Sequence, residues 1–221
     1  MLVPSPHTWN RAQPACLEAA RQNERMATES RALLIVDVQP TFCEGGALGV
    51  EGGTAVAEAV AEYVAQNRDF YTLIATTQDW HIDPGEHFAT PPAEPDYVNT
   101  WPPHGVAGTA EAELHPALAD VNADVTIKKG QYDHGYSGFD GTTESGETLA
   151  DALKNAGITS VDVVGLVESH CVRATALDAL KLGMKARVLS DLTVPVSEEQ
   201  GVAAREEMAA AGVEALNSAD A

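Results

Sequence analysis

The sequence predicts an α/β fold, a Rossmann-like three-layer αβα domain around a six-stranded, mainly parallel sheet. Three observations lead there. Short segments rich in Val, Ile and Leu alternate along the chain with segments of helical periodicity or helical capping. The strand segments are apolar along their full length, not at every second residue, which is the pattern of strands covered on both faces. Asp37, Asp79, Lys129 and the turn before Cys171 all fall at or just after strand ends, and in open parallel sheets that is where sites gather.

The elements follow in order. Residues 1–30 read as a weakly ordered extension with Pro4, Pro6 and Pro14 and no apolar block of the secretory type; residues 31–221 form the single domain. Met26, immediately ahead of the first strand, is the expected native start. Ala32 to Val38 is a strand carrying Asp37. Val56 to Val64 is a helix with Val56, Ala59, Val60, Tyr63 and Val64 on one face. Phe70 to Thr77 is the second strand. A Pro- and Gly-rich stretch, 79–114, is too long for an idle connection. Val125 to Lys129 is the third strand, and Glu147 to Asn155 a helix stopped by Gly157. Val161 to Gly165 is a strand, Val172 to Leu182 a helix, and Ala186 to Ser190 a strand. Ser197, followed by Glu198, Glu199 and Gln200, caps a helix to Ala211. Val213 to Leu216 closes the sheet.

Composition narrows the function classes. The 221 residues suit one domain with a full core. With 13 basic and 33 acidic residues the net charge is −20, which argues against nucleic acid and anionic membrane as partners. No apolar run approaches the roughly 20 residues of a membrane span. The cysteines are Cys16, Cys43 and Cys171. An odd number without Cys-x-x-Cys speaks against a disulfide framework and for a reducing cytoplasm.

One loop concentrates metal-type ligands. Asp79, His81 and His87 lie within nine residues, and His104 follows in Trp101-Pro102-Pro103-His104. A carboxylate with three imidazoles suits one divalent ion of the zinc, iron or manganese class. The same residues could instead be surface loop histidines. His7, His115 and His134 read that way, and His170, beside Cys171, could tune the thiol but reads more readily as local packing.

Cys171 is the candidate nucleophile. It stands where a strand and tight turn lead into a helix, and a thiol in the first helical turn is expected to have its pKa lowered towards the thiolate. Asp37 is the candidate base, and Lys129 would hold Asp37 and the thiolate in their charged forms. The turn from Leu166 to Cys171 could supply oxyanion donors, notably the Val167 and Cys171 N–H groups. Phe42 and Trp101 are candidate walls for a flat aromatic substrate. The alternative is an inert buried thiol.

These residues together resemble the nicotinamidase/pyrazinamidase branch of the isochorismatase-like cysteine hydrolases. The resemblance runs from about Arg31 to Leu216. It is carried by the segments 33–39, 42–48, 79–88, 101–104, 129–130, 136–139 and 169–172. It implies an Asp37–Lys129–Cys171 triad, a divalent ion on Asp79, His81, His87 and His104, and a non-proline cis peptide at Leu166–Val167 that turns N–H groups towards an oxyanion. It makes Phe42, Trp101 and Leu166 substrate contacts. It further implies hydrolysis of nicotinamide, with pyrazinamide as a second substrate, in a cytoplasmic enzyme of NAD salvage, and leaves a homo-oligomer open. Pro40-Thr41 after Gln39 and Gly105 after His104 depart from the commonest pattern. The alternatives are another amidase of the superfamily, acting on carbamoyl groups or other small carboxamides, and a non-catalytic metal-binding module.

Overall fold

The computed structural model describes residues 30–90 and 92–221. The expectations for the N-terminal extension and for Met26 lie outside these residues. The six strands are β1 (Arg31–Val36), β2 (Leu73–Asp79), β3 (Val125–Lys129), β4 (Ser160–Leu166), β5 (Lys185–Val194) and β6 (Glu214–Leu216). They form one sheet in the order β3-β2-β1-β4-β5-β6. Every pairing is parallel, so the expected mainly parallel sheet is parallel throughout.

β1 shows why the sheet is internal. All six of its residues are buried. Leu33 and Ile35 point into one apolar layer with Val56, Val60 and Val64 of α1 (Gly53–Asn67). Ala32, Leu34 and Val36 point into the other, with Leu149 and Leu153 of α2 (Leu149–Asn155), Ala176 and Ala179 of α3 (Arg173–Lys181), and Met208 of α4 (Glu198–Ala211). A strand buried on both faces needs an uninterrupted apolar run, and this sequence has one. Towards the amino end of β4, the buried Asp162 is held by Arg31 at 2.7 Å, by Arg187 at 2.7 and 2.6 Å, and by the Tyr71 hydroxyl at 2.8 Å. A charge in the core is tolerated only with such full pairing.

The caps agree with the sequence. The Ser197 side chain accepts from the Gln200 N–H at 3.3 Å at the start of α4, and Gly157 ends α2 with φ +68°. Several boundaries shift by a few residues, β1 for example ending at Val36 just before Asp37. β2 begins at Leu73, not Phe70, because Arg68–Phe70 close a 3₁₀ turn that leaves Phe70 exposed. β5 runs on to Val194, past a register shift opposite Val163 and Gly165. The helix expected from Val172 is preceded by a π-helical turn, Glu168–Val172.

The strand order places a topological switch between β1 and β4. Their connections leave in opposite directions there and open a crevice at the carboxyl ends. Gly165 lets the two strands close at this point: it has φ +110°, and a Cβ would collide with the Val36 carbonyl.

Candidate active site

Each of the four strands nearest the crevice delivers one part of the site. Asp37 follows β1, Asp79 ends β2, Lys129 ends β3, and β4 runs into the turn bearing Cys171. Asp79 and Lys129 are register partners, so their side chains leave adjacent strand ends side by side.

Lys129 is almost fully buried, at 1% exposure. Its ammonium ion-pairs with Asp79 Oδ1 and lies 2.8 Å from Asp37 Oδ2. It donates to the Gly135 carbonyl at 2.8 Å and sits 3.7 Å from Cys171 Sγ. Asp37 takes a left-handed backbone, φ +46°, which Asp tolerates better than most residues. Thr77 Oγ1 donates to Asp37 Oδ1 at 2.6 Å. Asp37 Oδ2 has no aligned hydrogen-bond donor. Its contact with Lys129 is one of charge, and a lone pair stays available for a proton. Asp37, Asp79 and Cys171 each present an atom within 4.8 Å of the others.

The electrostatics correct one expectation. The thiol of Cys171 is not lowered towards the thiolate. Burial pushes its pKa well up, Lys129 opposes this, and the Asp37 and Asp79 carboxylates add to it. The resting sulfur is therefore a thiol. Burial likewise raises Asp37, against the pull of Lys129, which makes it a stronger base than a surface carboxylate. Burial disfavours the Lys129 charge, yet Asp37 and Asp79 outweigh it and hold the ammonium well above its usual range. For Asp79 burial is again outweighed, mainly by Lys129, and its carboxyl stays below the usual range.

Beside this triad the imidazoles of His81, His87 and His104 converge, with one nitrogen of each within 4.8 Å of the others. All three residues are buried. His81 Nδ1 bonds the Gly130 carbonyl, and His104 Nδ1 bonds the Pro102 carbonyl at 2.8 Å. Both Nδ1 atoms must donate to carbonyls, so both Nε2 atoms carry lone pairs. These Nε2 atoms lie 3.6 and 3.7 Å from Asp79 Oδ2. His81 Nε2 is buried without a hydrogen-bond partner. An orphaned imidazole lone pair beside a carboxylate and two further imidazoles is the donor set of a divalent cation. Burial and the neighbouring imidazoles push His87 down to about 3, and burial lowers His104, so both rings are neutral, as ligands must be. The Gln39 side chain fixes the Asp79 backbone, accepting from its N–H at 2.9 Å and donating to its carbonyl at 3.0 Å.

A cavity of about 330 Å³ joins the two clusters, lined by Phe42, Asp79, His87, Trp101, His104 and Cys171 among others. This suits a small ligand. The peptide bond Leu166–Val167 is cis, as the resemblance implied. A family model described as the isochorismatase domain matches residues 31–220. The chain belongs to the isochorismatase family. A curated nicotinamidase/pyrazinamidase of Mycobacterium tuberculosis is 49% identical over 188 residues, which cover 85% of this chain and 99% of that protein. A solved pyrazinamidase of Pyrococcus horikoshii in complex with zinc is 34% identical, with a TM-score of 0.72 over 85% of this chain and 99% of its own. A structure from L. infantum in complex with nicotinate is 33% identical, with a TM-score of 0.73 over 86% and 93% of the two chains.

Within this family frame, Phe42, Trp101, Val167 and Cys171 line the cavity. Leu166 does not. Its side chain is fully buried in the layer under α1, so only its backbone can serve a ligand. Among the other lining residues, Tyr136 and His170 shape the wall. Tyr136 accepts from Trp101 Nε1 at 3.0 Å and fixes that indole. His170 sets its ring edge-on to Trp101, centroids 5.5 Å apart, so it is part of the wall and not only of the packing. Tyr136 shares its Gly-rich loop with Tyr132, His134 and Phe139, and nothing in that run marks which ring turns to the cavity.

Proposed function

We propose that the protein is a nicotinamidase, a hydrolase of a linear amide C–N bond that converts nicotinamide and water to nicotinate and ammonia and also takes pyrazinamide. The observation that carries this reading is the single buried ammonium of Lys129, which touches the base Asp37, the sulfur of Cys171 and the carboxylate of Asp79 that faces the histidine cluster. The similarity to the mycobacterial amidase supports the substrate class.

The pyridine ring lies in the cavity against Phe42 and Trp101, with the carboxamide over Cys171. Asp79, His81, His87 and His104 would hold one divalent cation, which supplies a Lewis-acid contact that orients the ring nitrogen. Zinc is favoured by the relative solved with it; iron and manganese suit the same donors. Asp37 takes the thiol proton as sulfur attacks the amide carbon, so that charge appears on sulfur only as the bond forms. Backbone N–H groups of Val167 and Cys171 receive the oxyanion. Asp37 returns the proton to nitrogen, ammonia leaves, and a thioester remains. Water then gives a proton to Asp37 and attacks the acyl carbon, and the proton returns to sulfur as nicotinate departs. Throughout, the Lys129 ammonium stabilises the negative charge whether it sits on Asp37 or on sulfur. The free thiols of Cys43 and Cys171 suit a reducing, cytoplasmic setting.

The test is ammonia release from nicotinamide by protein loaded separately with zinc, iron or manganese, beside Cys171→Ala. Release by the wild type and at least a thousandfold loss in the variant, on the order of the loss of a nucleophile, with metal content unchanged, is expected. Full activity in Cys171→Ala would sink the mechanism.

A further inference from the structure

Glu168 opens the turn that carries Cys171. It is 3% exposed, and the chemistry above uses no carboxylate there. Its Oε2 lies 2.7 Å from Arg205 of α4, whose second nitrogen lies 2.7 Å from Glu198 in the first turn of the same helix. Arg205 thus reaches inward from a half-exposed position to pair with a carboxylate inside the turn. The turn's backbone closes around Glu168: the Arg173 N–H reaches the Glu168 and His170 carbonyls, and the His170 and Val172 N–H groups reach the Val167 carbonyl at 3.1 and 3.3 Å. The next side chain, Ser169, accepts from the Val196 N–H at 3.2 Å. Two consecutive side chains therefore clip the nucleophile's turn to α4 and to the segment that leads into it.

We propose that Arg205 is a positioning residue: by holding the Glu168 carboxylate it fixes the backbone from Val167 to Cys171, and with it the aim of the sulfur and of the oxyanion donors. A π-helical turn is an uncommon conformation, found mostly as a single turn and often at functional sites. A buried carboxylate without its cation cannot stay where it is and must turn towards water or a proton. Either movement pulls on the first residue of the turn. A misplacement of about 1 Å at a reacting atom costs on the order of a hundredfold in rate. Glu168 neither lines the cavity nor belongs to the histidine cluster, so metal binding is left alone.

The rate arm of the test rests on the nicotinamidase reading; the alkylation arm does not. Arg205→Ala, Arg205→Lys, Glu168→Gln and the double variant Glu168→Gln/Arg205→Ala are compared with wild type. The readouts are kcat and KM for nicotinamide, bound metal, thermal midpoint, and the rate at which iodoacetamide alkylates Cys171, followed by intact mass. Arg205→Ala is expected to lower kcat about tenfold or more with KM and metal unchanged, and to shift the alkylation rate about threefold or more. Arg205→Lys recovers part of kcat. The double variant exceeds Arg205→Ala, because no uncompensated charge remains. A kcat unchanged in Arg205→Ala while the thermal midpoint falls would overturn the proposal, as would a double variant no better than Arg205→Ala. If wild type releases no ammonia, the functional reading fails, and an alkylation rate equal in wild type and Arg205→Ala then overturns the positioning role as well. Should Arg205→Ala not fold, wild-type alkylation rates in both Arg205→Lys and Glu168→Gln overturn it, and a shift in either sustains it.

Discussion

The Lys129 ammonium faces Asp37, Asp79, the Gly135 carbonyl and the Cys171 sulfur from a position closed to water. Its neighbour Lys128 pairs with the exposed Glu144 at 3.1 Å and lies over the Trp80 ring. The two lysines adjoin in sequence but differ in energy. Removing the buried cation strands two carboxylates in a dry site, which costs about 3–5 kcal/mol, whereas a surface pair is worth about 0–1 kcal/mol. Lys129→Met should therefore lower the urea midpoint sharply and abolish amidase activity, while Lys128→Met changes both little. Equal shifts in the two variants would mean that Lys129 is not holding the carboxylates together. Gly130 shows the same dependence on a single atom. It has φ +65°, its carbonyl fixes the His81 ring, and a Cβ would collide with that ring. Gly130→Ala should weaken metal binding about 10–100-fold, the usual cost of disturbing a ligand's hydrogen-bond partner, as read by competition with a chromogenic chelator. Wild-type affinity would show that the His81 ring can move freely.

At the level of elements, the loop that follows β2 brings imidazoles into the interior, and burial of His87 and His104 ties stability to pH. His87 is held at about 3 in the folded protein, while an unfolded histidine titrates near 6.5. Between those values the unfolded chain binds more protons, so stability falls as pH falls. His104 is lowered too and adds to the loss; Asp79, lowered by Lys129, adds to it only below its ordinary value of 3.8. Metal-free protein should lose urea midpoint between pH 7 and pH 5, and His87→Gln should lose less. The same slope in both would place the acid sensitivity elsewhere. The elements were legible where burial repeats along the chain. The apolar runs of β1 and β4 and the Ser197 cap leave plain marks in sequence. The turn Glu168–Val172 leaves none, because a π turn differs from an α turn in hydrogen-bond partner and not in residue type. The rise in the Cys171 pKa was missed for a related reason. Position at a helix start could be read from sequence, but the burial that overrides it belongs to the packed site. The histidine loop was legible because its metal-type side chains crowd into a short stretch, whereas Tyr136 reaches Trp101 across 35 residues of sequence.

For the whole molecule, a net charge of −20 sets the surface potential, and the ion pairs that matter to the site lie beneath it. Mutual repulsion among surface carboxylates destabilises the compact state. Salt shortens the range of that repulsion, from about 30 Å at 0.01 M to about 3 Å at 1 M. The pairs of Lys129 with Asp37 and of Asp162 with Arg187 have little contact with solvent and are screened much less. Raising KCl from about 0.01 M to about 1 M should therefore raise the thermal midpoint, since the repulsive surface weakens and the attractive interior does not. Catalysis should respond differently. Nicotinamide is uncharged, so the acidic field neither steers it in nor holds it off, and kcat/KM should stay nearly level over the same range. A thermal midpoint that falls with KCl would mean that exposed attractive pairs such as Arg68–Asp124, 2.8 Å apart, outweigh the repulsion. A steep salt dependence of kcat/KM would mean that the rate-limiting encounter involves a charged species, which a neutral carboxamide does not provide.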